Sequence, residues 1–232
     1  MDEKTLNELV SILHMLMTFD KSNCFCISLA GSSRRQRMMD RLRSTSLECS
    51  MWNASTPSDL VDSFCGGLSV YQQACAQSHI HVWRHIVRCG LPYAMVLEDD
   101  AMFHKKWRES LLEIEPQLIA DGEWDCVFLN ASEPVVPLDE WVVVREQYLT
   151  GGYVISNKGA KYLLERFLLE RFCASDWMTS RLQERGHCYG RFPWLIVQEG
   201  RDTMIGSNLD ADHAKVVRCL GEVGLTIEGS YC

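Results

Sequence analysis

Along this 232-residue chain, short apolar runs of strand character alternate with longer stretches of helical spacing. Cys24 to Leu29 is almost continuously apolar and predicts a buried strand, followed by Ala30-Gly31-Ser32-Ser33 and an Arg-rich helix. Glu48 to Trp52 predicts a second strand. Between Ser69 and Cys89, the residues Cys75, His79, Val82 and Ile86 recur at helical steps and share one face. Tyr93 to Leu97 predicts a central strand that runs into Glu98-Asp99-Asp100. Trp107, Leu111, Ile114 and Leu118 occupy one face of a further helix. Trp124 to Leu129, Trp141 to Val144, Tyr153 to Ile155 and Trp194 to Val197 predict the remaining strands. Ser156 is placed to cap a helix carrying Ala160, Leu163, Leu164 and Phe167, and Ser175 to cap another that begins at Asp176. Leu6, Leu9, Leu13 and Leu16 predict an amphipathic helix over residues 1–20, whereas residues 206–232 are expected to form an irregular tail. No repeat, low-complexity tract or linker interrupts residues 1–232, so the expectation is one α/β domain with a mixed, mostly parallel sheet flanked by helices.

Charge narrows the function classes. With 23 Lys+Arg against 31 Asp+Glu the formal net charge is −8, which argues against a nucleic-acid partner. One local basic cluster, Arg34, Arg35, Arg37, Arg41 and Arg43, stands out against that background. Eleven cysteines without a C-x-x-C pair read as reduced, partly buried thiols. The apolar run Leu9 to Met17 lacks a basic flank and is too short for a membrane span, and Gly229-Ser230-Tyr231-Cys232 is no retention signal. The expectation is a cytoplasmic protein with no membrane span.

The chemistry concentrates at Met95-Val96-Leu97-Glu98-Asp99-Asp100-Ala101. Three consecutive acids at a strand end are costly unless a cation or hydrogen-bond donors compensate them. At the carboxyl end of a strand in an open α/β sheet, side chains face the crevice where ligands bind. Hard divalent ions take carboxylate and phosphate oxygens together. In extended geometry Glu98 and Asp100 share a face and Asp99 points away. Arg34 or Arg35, after the Leu29-Ala30 turn, could hold a diphosphate. Gly151-Gly152-Tyr153 would allow close backbone approach to a ligand. His79 reads as a core or supporting histidine. His81 and His85 lack the glutamate of a zinc-protease helix, since Val82 stands there. Asn53-Ala54-Ser55 and Asn130-Ala131-Ser132 read as accidental sequons, with Asn130 close enough to the expected cleft to touch a ligand.

Taken in order, the segments Cys26 to Met39, Ala74 to Phe103, Trp124 to Leu129, Gly151 to Leu164, Asp176 to Met178 and Phe192 to Ile205 resemble glycosyltransferase family 25, which contains lipopolysaccharide-type and collagen-type galactosyltransferases. The resemblance implies a GT-A-like nucleotide-binding fold, a UDP-sugar donor, Mn²⁺ (or Mg²⁺), and inversion at the anomeric carbon. It implies that Asp100 ligates the metal and that Glu98 or Asp99 touches the ribose or a metal-bound water, with Glu98 a further candidate ligand. Leu29, Ala30, Arg34, Arg35, Gly151, Gly152 and Gln198 become donor-site candidates. A third metal ligand is expected late in the chain, at Gln198 or His213, with His213 preferred for its imidazole. Thr203 stands near where the family often carries serine. Asp176 is the candidate general base, with Glu170 and Asp139 as rivals. Either UDP-galactose or UDP-glucose fits as donor, and a glycan or a hydroxylated side chain as acceptor. A non-catalytic binding module of the same fold and a metal-dependent phosphohydrolase are the competing readings.

Overall fold

The computed structural model describes residues 17–64, 67–171, 174–200 and 209–232. The predicted helix over residues 1–20 lies mostly outside the described residues, as do Thr203, Met204 and Ile205.

The central sheet has the order β2-β1-β3-β7-β5-β8-β6. Its strands are β1 (Cys24–Ser28), β2 (Ser50–Asn53), β3 (Tyr93–Glu98), β5 (Cys126–Phe128), β6 (Val142–Val143), β7 (Gly152–Ser156) and β8 (Cys188–Gly190). β2, β1 and β3 are parallel, β5 and β8 share their direction, and β7 and β6 run against it. The sheet is therefore mixed but mostly parallel. Both of its faces are covered, which is why β1 and β7 are buried along their whole length.

Alternate residues of each strand feed two cores. Ala94 and Val96 face one, with helices α2 (Val70–Arg88), α5 (Asn157–Glu170) and α6 (Ser175–Gln183). Met95 and Leu97 face the other, with α1 (Ser33–Ser44), α3 (Trp107–Leu112) and α4 (Glu115–Asp121). Local chemistry sets the helix starts. Ser32 caps α1 by accepting from the Arg35 N–H, Ser69 and Gln72 form a reciprocal capping box on α2, and Ser156 caps α5 through the Gly159 N–H.

Three expectations change. The face Trp107, Leu111, Ile114, Leu118 is buried as expected, but two helices carry it. Pro116 lies in the first turn of α4, where its missing N–H is harmless, whereas inside one continuous helix it would break a hydrogen bond. Ser175 is the first residue of α6 rather than its cap, which is Ala174. Of the tail expected over residues 206–232, the described part, 209–232, is not irregular: α7 (Leu209–Glu222) and α8 (Ile227–Ser230) form there. Cys219, Leu220, Ile227 and Tyr231 bury themselves against Phe192, Trp194 and Val197.

A second, two-stranded sheet begins just after the acids. β4 (Ala101–Phe103) pairs antiparallel with β9 (Ile196–Gln198), placing Ala101 opposite Gln198. That register carries Gln198 to the acidic strand end.

Candidate active site

The parallel strands β1, β2 and β3 end side by side. Ile27 pairs with both Trp52 and Glu98, so Ser28, Asn53 and Asp99 meet at one edge of the sheet. A cavity of about 270 Å³ opens there. Its wall is largely apolar and carries hydroxyls at Ser28, Ser32, Ser55 and Thr56, with Tyr71 on one side and Arg34, Glu98 and Asp99 at the acidic end.

The backbone leaves extended geometry immediately after Glu98 and turns at Asp99-Asp100. Asp99 therefore does not point away, as strand geometry predicted, but turns inward. Its carboxylate accepts the Ser28 hydroxyl at 2.6 Å and pairs with Arg34 at 2.6 Å. The same guanidinium reaches Asp100 at 3.1 Å. Gln198 Nε2 donates to Glu98 at 3.2 Å and to Asp100 at 3.4 Å. Three carboxylates thus converge on one arginine and one amide. Asp99 and Asp100 are only 7% and 3% exposed. Burial pushes the Asp100 carboxyl up to about 6; Arg34 and Gln198 oppose this and Glu98 and Asp99 add to it. Burial also pushes Glu98 upward, but hydrogen bonds from His79 and Thr150 and the charge of Arg34 outweigh it and hold Glu98 low.

Glu98 is held from behind. His79, fully buried on α2, lies 3.2 Å from Glu98 Oε1 through Nε2 and 2.8 Å from the Tyr153 hydroxyl through Nδ1. Trp83 Nε1 donates to that hydroxyl at 2.9 Å. An indole N–H can only donate, so the phenol's proton is free for Nδ1, and the network assigns the ring proton to Nε2, facing the carboxylate. Thr150 donates to Glu98 Oε1 at 2.9 Å and lies 3.1 Å from the Ser175 hydroxyl. The second contact ties the acids to the start of α6, which carries Asp176.

Asp176 is partly buried and stands outside the cavity wall, on the neighbouring helix. Burial raises its proton affinity. The Trp177 N–H, donated at 2.9 Å, and His79 lower it, and the charge of Glu98 raises it further. Beside it Trp177 is 54% exposed, its ring 5.7 Å from that of Tyr148. The rivals are engaged elsewhere: Glu170 pairs with Arg166 and Arg181, and Asp139 with Arg191.

Other candidates separate. Leu29 lines the cavity, while Ala30 is exposed and off its wall. Arg34 faces the acids, but Arg35 turns to Asn53 Oδ1 at 2.8 Å and the Ser28 carbonyl at 3.4 Å. Gly151 and Gly152 permit a close approach of other protein atoms. A Cβ on Gly151 would meet Gln198 Cγ at 2.7 Å, and one on Gly152 would meet Ile196 Cδ1 at 2.4 Å. The glycines let β9 close over β7. Asn130 accepts the Gly151 N–H and donates to the Ile196 carbonyl, fastening β9 from the other side.

His213 sits on α7 rather than in a tail. Its Nδ1 is buried without a hydrogen-bond partner among the described residues, and its ring packs where a Cβ on Gly200 would fall. That nitrogen lies beside Gly200, two residues beyond Gln198. The carboxylates outnumber the arginine that neutralises them, and their oxygens suit a hard divalent cation, but among the described residues His213 joins no cluster of ligating atoms with them. The wall residues Ser55, Thr56 and Tyr71 were missed in the sequence. Their only signal is position, just after β2 and at the start of α2.

The family model described as Glycosyltransferase family 25 (LPS biosynthesis protein) matches residues 21–133. The lacto-N-neotetraose biosynthesis glycosyltransferase LgtE of Neisseria meningitidis is 30% identical over 175 residues, covering 62% of this chain and 61% of its own. Procollagen galactosyltransferase 1 of Danio rerio is 28% identical over 190 residues, 69% of this chain and 31% of its own. The inactive glycosyltransferase 25 family member 3 of Mus musculus is 31% identical over 186 residues, again 69% and 31%. The chain therefore spans about three-fifths of the bacterial relative and about a third of the two animal ones.

Proposed function

Because this chain belongs to glycosyltransferase family 25, we propose that it transfers a hexose, galactose first and glucose as the alternative, from a UDP-sugar to an acceptor hydroxyl with inversion. The observation that carries the reading is the cavity ending in Arg34, Glu98 and Asp99, with Asp100 held behind them by the same arginine. The cavity's size and its largely apolar wall, with Tyr71 and scattered hydroxyls, suit a nucleoside, and its acidic end suits a cation–diphosphate.

In this reading Asp100 and Glu98 would hold Mn²⁺ or Mg²⁺, and His213 would complete the set only by moving to them from beside Gly200. The bound cation supplies Lewis-acid neutralisation of the diphosphate leaving group. Arg34 moves from the acids to the diphosphate, exchanging one anionic partner for another. Ser28 keeps Asp99 oriented, and His79 and Thr150 keep Glu98 ionised and fixed. Asp176 accepts the acceptor hydroxyl's proton as that oxygen attacks the anomeric carbon. Its raised proton affinity suits a base that must hold the proton once taken. Trp177 and Tyr148 offer an aromatic surface on which an acceptor sugar ring can lie.

The relative named as inactive makes turnover the quantity to measure. Purified protein with Mn²⁺ and a panel of UDP-sugars is expected to release UDP from one of them. EDTA and Asp100→Ala should both abolish the release, and Asp176→Asn should abolish it while leaving UDP binding intact. Metal-dependent UDP binding without release from any sugar, acceptor supplied, would favour the non-catalytic reading, and UMP as product would favour a phosphohydrolase.

A further inference from the structure

On the inner side of the acids, a second set of ligating atoms converges whose chemistry is not that of a hard-cation site. Cys75 Sγ, a His79 ring nitrogen and a Glu98 carboxylate oxygen all lie within 4.8 Å of one another. Cys75 and His79 are one turn apart on α2 and so project from the same face. Glu98 comes from the end of β3.

We propose that Cys75, His79 and Glu98 form a separate site for a thiophilic divalent ion such as Zn²⁺, whose occupation withdraws Glu98 from the carboxylate cluster. A mixed sulfur, nitrogen and oxygen set with three protein ligands and one open position is the pattern of exchangeable zinc sites, whereas Mg²⁺ and Mn²⁺ favour all-oxygen surroundings. Both Cys75 and His79 line the cavity, which gives an ion its entry path.

The hydrogen bonds that would hold the histidine ligand are already present. Ligating histidines usually donate their other ring N–H to a fixed oxygen. Here the Tyr153 hydroxyl lies 2.8 Å from His79 Nδ1, and Trp83 anchors it. When an ion takes Nε2, the ring proton moves to Nδ1 and the phenol oxygen accepts it, so the phenol serves either tautomer. Cys75 gives up its S–H proton to solvent, one proton per ion bound. The site stands without the transferase reading; only its inhibitory consequence rests on that reading, because Glu98 cannot serve both cation sites at once.

Cobalt(II) provides the test, on the full chain without nucleotide. The wild type is expected to bind one Co²⁺ with a thiolate-to-cobalt charge-transfer band and the intense visible bands of a four-coordinate ion. Equimolar Zn²⁺ should erase them and excess Mg²⁺ should not. Cys75→Ser should remove the charge-transfer band, His79→Gln should weaken binding at least about tenfold, and replacing the exposed Cys89 and Cys232 should leave the spectrum intact. A band that persists in Cys75→Ser, or is absent from the wild type, overturns the site. Should Cys75→Ser fail to fold, X-ray absorption of the zinc-loaded wild type decides: one sulfur neighbour supports the site and an all-oxygen shell refutes it. A chain that shows this signature yet, freed of cobalt and zinc and supplied with Mn²⁺, UDP-sugars and acceptor, releases no UDP would refute the transferase reading and leave the zinc site standing.

Discussion

Asp100 makes opposite demands on stability and on cation binding. Its carboxyl sits at about 6 against an ordinary 3.8, with burial the largest cause. The folded chain therefore binds more protons than the unfolded one between those values, and stability contributed by the protonated form is lost as pH rises through that window. Asp100→Asn, which cannot ionise, is expected to raise stability at pH 7 on the order of 2 kcal/mol and to leave it unchanged near pH 3. Urea unfolding at both pH values reads this. The same ionisation has the reverse sign for the cation: Mn²⁺ affinity of the metal-free wild type should rise through about pH 6 and be lost in the variant, by titration calorimetry. Trp177 works at the same scale. If its exposed ring carries the acceptor sugar, Trp177→Ala should raise the acceptor KM about tenfold, the equivalent of about 1.4 kcal/mol, and leave the donor KM alone. A matched rise in both constants would count against the platform.

Elements bring these residues together through contacts with almost no slack. β9 lies over β7 because Gly152 has no side chain there. A Cβ would stand 2.4 Å from Ile196 Cδ1 but 3.3 Å from Ile196 Cγ2. Gly152→Ala is thus expected to destabilise by about 1–3 kcal/mol through overpacking and to loosen Gln198 from Glu98 and Asp100. Ile196→Val, which deletes only Cδ1, should recover most of that loss in the double variant. Additive destabilisation in chemical denaturation would show that the contact is not the cause. The glycine pair was visible in the sequence, but its partner was not, because β7 and β9 are about forty residues apart and do not pair with each other. Likewise Ser175 had the right residue type for a cap. Thr150, unremarkable in the sequence, took its hydroxyl instead.

For the molecule as a whole, the acid cluster is a concentration of like charge that the fold holds with one arginine, and a divalent ion should relieve it. At a hundred times its dissociation constant, Mn²⁺ is expected to add about 2.7 kcal/mol to the wild type in thermal unfolding. EDTA should reverse the gain and Asp100→Ala should not show it. An equal gain in the variant would place the ion elsewhere. Among the described residues no helix is long and apolar enough to cross a membrane. The nine cysteines among them are free, with Cys126 and Cys188 facing each other across β5 and β8 deep in the core.

The sequence by itself determined what short-range physics controls. Apolar runs and helical spacing set most strands and helices, Ser69 and Ser156 set helix starts, and the acids at the end of β3 marked the chemistry. It also carried the resemblance that led to the family, because those segments keep their order along the chain. Tertiary structure alone decided which groups share charge and hydrogen bonds. Arg34, Gln198 and His79 reach the acids from three separate elements and Thr150 from the loop before β7, and no local pattern encodes a contact that depends on how a sheet registers and a helix docks. The turn after Glu98 swung Asp99 inward, and the folding of residues 209–222 into α7 put the orphan nitrogen of His213 beside Gly200. Both follow from packing against distant partners, which is where the free energy of a buried polar site is settled.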